Sequence, residues 1–258
     1  MRFKIYLIRI SIILAVIGAV WALIAAVGRS MSQSGDHIQF KIKHLNNQSD
    51  ILTDDDLRTI MDRDFNDVMV GKPVHEIDVK AIEERYRKES YLRDVKVFID
   101  SRAVLNIEVE PREAFFRVLH DDGTSYFVDK EGYRFPVSRH YTPRVQVVTG
   151  KVPIVKQSLA QNDSSVIHHI FELLSFIKKD ELLDALVEEI HVEIGGVIEL
   201  VPKVGKFRII YGRHDPLAIA DRFENLRIFY EEGMPYEGWN KYSSINIEFK
   251  DQVVCSLR

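Results

Sequence analysis

A single cysteine, Cys255, stands in the 258 residues. It excludes an internal disulfide and any metal site built on paired thiolates. The fold must rest on its apolar core, and the thiol reads as a small hydrophobe rather than a nucleophile. Motifs that carry a mechanism are also missing. No His pair brackets a Glu in the zinc-protease manner, and no Gly-x-Ser-x-Gly occurs. His168 and His169 are neighbours on a helical pattern, so their side chains diverge by ~100° and cannot chelate one ion together. The run Asp62-Arg63-Asp64-Phe65-Asn66-Asp67 starts like a calcium loop. It has Asp67 where that loop needs glycine and Pro73 where it needs a glutamate ligand. Asp54-Asp55-Asp56 offset a helix dipole, and Gly195-Gly196 make a hairpin turn, since no helix follows to cradle a phosphate. These absences predict a protein that is not an enzyme, with no cofactor, no metal and no small-molecule substrate.

Positive charge is scarce as well, with a formal net charge of −4. Residues 1–37 hold four Lys/Arg and one Asp, leaving the remainder at −7. A mildly acidic body has little to neutralise phosphates with, which argues against nucleic acid as a partner. There is no repeat or low-complexity tract, and 46% hydrophobic and 10% aromatic content place the body among ordered, globular chains.

What is present begins at the front. Ile10 to Val27 are eighteen consecutive uncharged residues behind Arg2, Lys4 and Arg9. At ~1.5 Å per residue an α-helix of that length spans ~27 Å, close to the ~30 Å hydrocarbon core of a bilayer. The basic flank predicts a cytoplasmic N-terminus and an extracytoplasmic body. A cleaved signal peptide is the rival, with Ala26-Val27-Gly28 as its small-x-small site. The expected organisation is a tail (1–9), a transmembrane helix (10–28), a small polar linker (29–37) and two folded domains (38–117 and 118–258).

In the first domain Ile38, Phe40 and Ile42 alternate with polar residues as a half-buried strand does. Thr53 and Asp56 resemble a capping box opening a short helix with Leu57, Ile60 and Met61 inward. Gly71-Lys72-Pro73 breaks the chain. Asp78 caps a second helix over Val79, Ile82 and Tyr86, with Glu83–Arg87 on its exposed face. Val95, Val97 and Ile99, the turn Asp100-Ser101-Arg102-Ala103, and Leu105, Ile107 and Val109 form a hairpin. The order is β-α-α-β-β, with two helices over one face of a three-stranded sheet. The second domain reads as a mostly antiparallel β fold with two or three helices. A meander covers Phe115–Leu119, Tyr126–Val128 and the turn Asp129-Lys130-Glu131-Gly132. A strand at Val145–Val148 precedes a helix from Ser164 or Ser165 through Ile177, with a second short helical segment over Leu182–Val187. Three antiparallel strands follow (His191–Ile194, Val197–Val201, Phe207–Tyr211), then a helix from Leu217 to Tyr230 and strands at Ser244–Phe249 and Val253–Leu257. The fold class is α+β.

Together these segments resemble the bacterial cell-division family FtsQ/DivIB. Gly71-Lys72-Pro73-Val74-His75-Glu76-Ile77-Asp78 resembles the link between the two helices of that family's POTRA domain. Tyr91–Val97 with Leu105–Ala114 resembles its strand pair. Tyr126–Pro136 resembles the start of its β domain, and Ser244–Val254 its closing hairpin. The chain departs at Asp100-Ser101, where the family often carries Trp-Pro, and in its very short basic tail. The resemblance implies a non-enzymatic division-site scaffold in the bacterial cytoplasmic (inner) membrane, single-pass, with its bulk in the periplasm at the septum. It implies as partners the extracytoplasmic parts of FtsB/DivIC-like and FtsL-like bitopic coiled-coil proteins, along with other divisome proteins. A final strand accepts a partner by β-augmentation. The predicted partner-binding residues are therefore Phe249, Lys250, Val253, Val254, Cys255, Ser256 and Leu257, with Tyr230 and Glu231 at the end of the preceding helix. Two other classes compete. One is a POTRA-bearing assembly or translocation factor, disfavoured because the alternating ~10-residue segments of a membrane barrel are missing; the other is an exported hydrolase, disfavoured by the absent motifs.

Overall fold

The computed structural model describes residues 15–22, 38–43, 51–69, 73, 76–159 and 165–258. Residues 15–22, part of the predicted anchor, are helical. The rest of 10–28, the tail 1–9, the linker 29–37 and Gly71-Lys72 lie outside the described residues. Among the described residues no helix is long and apolar enough to cross a membrane. The chain forms two compact units that divide between Pro111 and Arg112. A boundary at 117/118 would cut the strand Phe116–Leu119, which belongs wholly to the second unit's sheet.

The first unit follows the expected β-α-α-β-β order. Strand β1 (Ile38–Ile42) leads to helices α1 (Asp54–Met69) and α2 (Val79–Tyr86), then β2 (Leu92–Ile99) and β3 (Leu105–Pro111). The sheet order is β1-β3-β2, with β1 parallel and β2 antiparallel to β3. The capping box at α1 forms in full. Thr53 N–H and Oγ1–H both donate to Asp56 Oδ2 (2.9 and 2.8 Å), and Asp56 N–H donates to Thr53 Oγ1 at 3.3 Å. Asp78 caps α2 by accepting Ala81 N–H at 3.0 Å. Glu83 pairs with Arg87 at 2.8 Å. Leu57, Met61, Ile82 and Tyr86 pack on Val95, Val97, Leu105, Ile107 and Val109. The Tyr86 hydroxyl donates to Leu57 O at 2.7 Å, joining the two helices where an unpaired hydroxyl would be costly. A register shift between Leu92 and Asp94 explains why Leu92 and Val95, three apart, are both buried.

The second unit is a nine-stranded sheet in the order β12-β11-β10-β9-β8-β7-β4-β5-β6. Its strands are β4 (Phe116–Leu119), β5 (Ser125–Val128), β6 (Arg134–Pro136), β7 (Val147–Gly150), β8 (Val187–Val192), β9 (Ile198–Pro202), β10 (Arg208–Gly212), β11 (Tyr242–Asn246) and β12 (Val254–Leu257). Five of its pairs are antiparallel and three parallel. A parallel pair needs a crossover, and that is where the helices sit. Helices α3 (Val166–Ile177) and α4 (Glu181–Leu186) connect β7 to β8, and α5 (Ile219–Ile228) connects β10 to β11. Ile167, Ile170, Leu173 and Leu174 from α3 and Phe223 and Leu226 from α5 share one core with Val148, Ile190, Leu200, Ile209 and Ile245 of the sheet.

The strand expected at Val145–Val148 is Val147–Gly150 and the short helix expected over Leu182–Val187 is Glu181–Leu186, and three further elements differ more. The strand expected at His191–Ile194 is Val187–Val192, because a bulge between Val187 and Glu189 turns both Val187 and Ile190 inward and breaks the alternation. The expected helix Leu217–Tyr230 is α5, followed by a π-helical turn (Phe229–Gly233) and a four-residue helix, α6 (Met234–Glu237). Pro235 sits in the first turn of α6 and Gly238 (φ 85°) ends it. The strand expected at Ser244–Phe249 stops at Asn246, whose side-chain oxygen accepts Glu248 N–H at 2.9 Å and turns the chain.

Candidate partner-binding site

The predicted site residues gather around β12, the last strand of the sheet. β12 runs antiparallel to β11 with Asn246 opposite Val254, Ile245 opposite Cys255 and Tyr242 opposite Leu257. The register shifts at Ser243, whose hydroxyl lies 3.2 and 3.1 Å from the carbonyls of Ser256 and Leu257. Ile245 of β11 and Ile247 just after it are fully buried, so they anchor the hairpin in the core. On its outer side β12 pairs with no strand among the described residues. Its four residues extend over roughly 13 Å, room for a short added strand.

The side chains divide by role. Val253 and Cys255 are partly buried against the core, and desolvation pushes the Cys255 thiol above its ordinary pKa, which disfavours the reactive thiolate. Val254, Ser256 and Leu257 are exposed, Leu257 by 66%. Phe249 and Lys250 are exposed in the β11–β12 connection, where Asp251 takes a left-handed φ of 57°. They border a groove with Asp215, Leu217, Asp221 and Asn225.

Tyr230 and Glu231 fall in the π-helical turn rather than at a helix end. Glu231 is exposed. The Tyr230 ring packs between Phe207 (6.3 Å) and Trp239 (5.5 Å), and its hydroxyl is buried without a hydrogen-bond partner. Burial raises its pKa. Tyr230 therefore supports the surface from below, while the contact surface belongs to its neighbours. The backbone carbonyl of Lys206, beside Phe207, accepts a bond from the Arg258 guanidinium at 2.8 Å, which places this aromatic group at the Leu257 end of β12.

Sequence reasoning missed three exposed apolar side chains, Leu217 at 91% in the Phe249 groove, Trp239 at 42% against Tyr230, and Tyr236 at 88% in α6. Two aromatics on either side of Gly238, in a segment too short to bury them, were the available signal for the last two. Leu217 carried none, because it reads as the first residue of the helix that in fact begins at Ile219.

The arrangement offers backbone donors and acceptors with apolar side chains at either end, the chemistry of β-strand addition. Among the described residues no three His, Cys, Asp or Glu side chains are grouped to hold a metal ion. The family described as "FtsQ/DivIB, C-terminal related" matches residues 113–256, more than half of the chain and the whole run from β4 into β12. That family is one of non-catalytic scaffolds of cell division. No curated protein matches the chain. With the matched region coinciding with the nine-stranded unit and its open edge, the chain belongs to the FtsQ/DivIB family.

Proposed function

We propose that this protein is a membrane-anchored, non-enzymatic division scaffold. Its second unit captures the extracytoplasmic part of an FtsB/DivIC–FtsL-like pair by strand addition to β12. The observation that carries this reading is the outer side of β12, which pairs with no described strand, lies at the end of the family-matched region and is flanked by exposed Phe249, Val254 and Leu257. An incoming strand satisfies the free backbone groups of β12, and Phe249 and Leu217 at one end, with Leu257 and Trp239 at the other, supply apolar contact.

The N-terminal stretch serves as the anchor in this reading. Within residues 15–22 the helix leaves Val16, Ile17, Val20 and Trp21 exposed, an apolar surface suited to lipid. The first unit, with its β-α-α-β-β order, is the POTRA domain that places the protein at the septum. Anchoring matters energetically because confinement to one membrane raises the effective concentration of two anchored partners.

The test is capture from detergent-solubilised membranes. Wild-type protein is expected to recover a small bitopic coiled-coil pair. Phe249→Glu and Val254→Lys variants should reach the membrane at normal levels and lose that pair. Capture unaltered in both variants would overturn the assignment to β12.

A further inference from the structure

His214 lies in the turn between β10 and α5, and its side chain is only 2% exposed. Its Nε2 sits 2.9 Å from Glu172 Oε2 on α3. A carboxylate only accepts, so Nε2 carries the proton and Nδ1 bears the lone pair. Nδ1 is buried and has no hydrogen-bond partner. The His169 ring, also from α3, stacks on His214 at 4.7 Å, and His168 Nε2 lies 3.6 Å from the other Glu172 oxygen. From β10, the Tyr211 ring is 6.4 Å away. From α5 comes Arg222, whose Nη1 donates to the carbonyls of Tyr211 (3.1 Å) and Arg213 (2.7 Å) on either side of Gly212. Arg213 and Asp215 are the charged neighbours on the turn itself. One imidazole thus ties the 212–217 turn to α3.

The same turn reaches the candidate edge. Gly212 has a φ of 87°, and a Cβ there would lie 2.3 Å from the Glu248 side chain, so the turn and the β11–β12 connection are in close contact. Arg213 N–H points to Glu248 Oε1 at 3.4 Å, one residue before Phe249. Asp215 and Leu217 line the groove of about 340 Å³ that Phe249 and Lys250 close.

We propose that His214 is a proton-sensitive clasp: neutral, it fastens the 212–217 turn to α3, and a second proton, arriving on an Nδ1 with no acceptor, releases the turn and the groove it lines. For its link to partner capture this rests on the β12 reading above; the clasp itself does not. The Glu172 carboxylate favours the imidazolium. Burial opposes it more strongly, and His169 and Arg222 add to that opposition, so His214 is held below its ordinary value of 6.5. A histidine depressed in the folded state contributes stability that is present above pH 6.5 and is lost as pH falls through the lower, folded-state value. Acidification therefore loosens the turn while leaving the sheet in place. A domain outside the cytoplasm would experience that acidification directly.

The test follows amide exchange by mass spectrometry on the full chain at about pH 7.5 and about pH 5.5, corrected for intrinsic exchange. Peptides over 212–217 and 247–251 should open several-fold more at the lower pH, with β8 and β9 unchanged. His214→Gln, which keeps a donor toward Glu172 and cannot titrate, should show equal protection at both values; His169→Gln should retain the pH response. Equal protection in the wild type, or a full response in His214→Gln, would overturn the clasp. If His214→Gln does not fold, the wild-type His214 resonance decides: a midpoint below 6.5 supports the clasp and one at or above it overturns it. None of these readouts needs the partner, so a failed clasp and a failed β12 assignment are told apart.

Discussion

The two edges of the nine-stranded sheet are treated in opposite ways. At the β6 end the outer side is covered. Arg134 N–H donates to Gln157 O at 2.9 Å, Leu159 N–H donates to Gly132 O at 3.0 Å, and Tyr133 bridges to Ser158. Arg134 reaches over the Tyr126 ring to the Val155 carbonyl, and Pro136 removes a donor from the strand itself. The turn beneath is locked by Asp129, 1% exposed, which accepts Glu131 and Tyr133 N–H at 3.0 and 2.7 Å and pairs with Arg112 at 2.6 Å. At the β12 end no described strand covers the edge, and in its turn Asn246 Oδ1 accepts Glu248 N–H at 2.9 Å while Arg213 N–H points to Glu248 Oε1 at 3.4 Å. Sheet edges invite unwanted pairing and are normally blunted. One edge is thus closed by several bonds, while the other, beside exposed apolar side chains, pairs with no described strand, and the proposed strand addition to β12 rests on that difference.

The largest effect is expected from breaking the closed edge. Asp129→Ala removes a buried acid that pairs with Arg112 and accepts the N–H groups of Glu131 and Tyr133. Removing one partner of a buried pair costs about 3–5 kcal/mol, so urea unfolding of the variant should show a loss of that order. A loss below about 1 kcal/mol, the scale of an exposed pair, would mean that the β6 turn is no better held than the β12 turn.

A smaller loss is expected on the open side. Gly212 has a φ of 87°, a backbone state that costs an L side chain about 1–2 kcal/mol, and its Cβ would press on Glu248. Gly212→Ala should lower stability by that amount and weaken partner capture, though it touches no residue proposed to meet the partner. Unchanged capture with the stability loss in place would show that the 212–217 turn does not shape the edge.

How far this contrast was legible in the sequence depends on how local its causes are. The Thr53–Asp56 box, the Asp78 cap and the Asp100 turn, where Asp100 accepts the N–H groups of Arg102 and Val104, form within a few residues and were readable. The closing hairpin was readable because Ile245 alternates inward and Cys255 stands opposite it. The insertion of β7 between β4 and β8 was not, because two parallel pairings, one across β5 and β6 and one across two helices, leave no mark on the strands that make them. Bulges at Val187/Glu189 and Tyr242/Ser244 break the period of two that the reading relied on. At the candidate site, the sequence reading named the strand residues and passed over the turn aromatics. Exposure of Leu217 or burial of the Tyr230 hydroxyl is decided by packing partners up to twenty residues or more away, such as Phe207.

The smallest expected change in stability carries the most information about function. Val254 is 46% exposed and lies in an edge strand, so Val254→Lys removes little packing and should shift the unfolding free energy by no more than about 0.5 kcal/mol. Lysine is also what sheets use to blunt an edge. The substitution thus gives β12 a guard comparable in purpose to the one Pro136 and residues 155–159 give β6. If the bare edge exists for strand addition, capture should be lost while stability is kept, because the charge must be desolvated when a second strand closes over it. Lost stability together with lost capture would make β12 a structural strand like β6, and the difference between the two edges would then be one of cover alone.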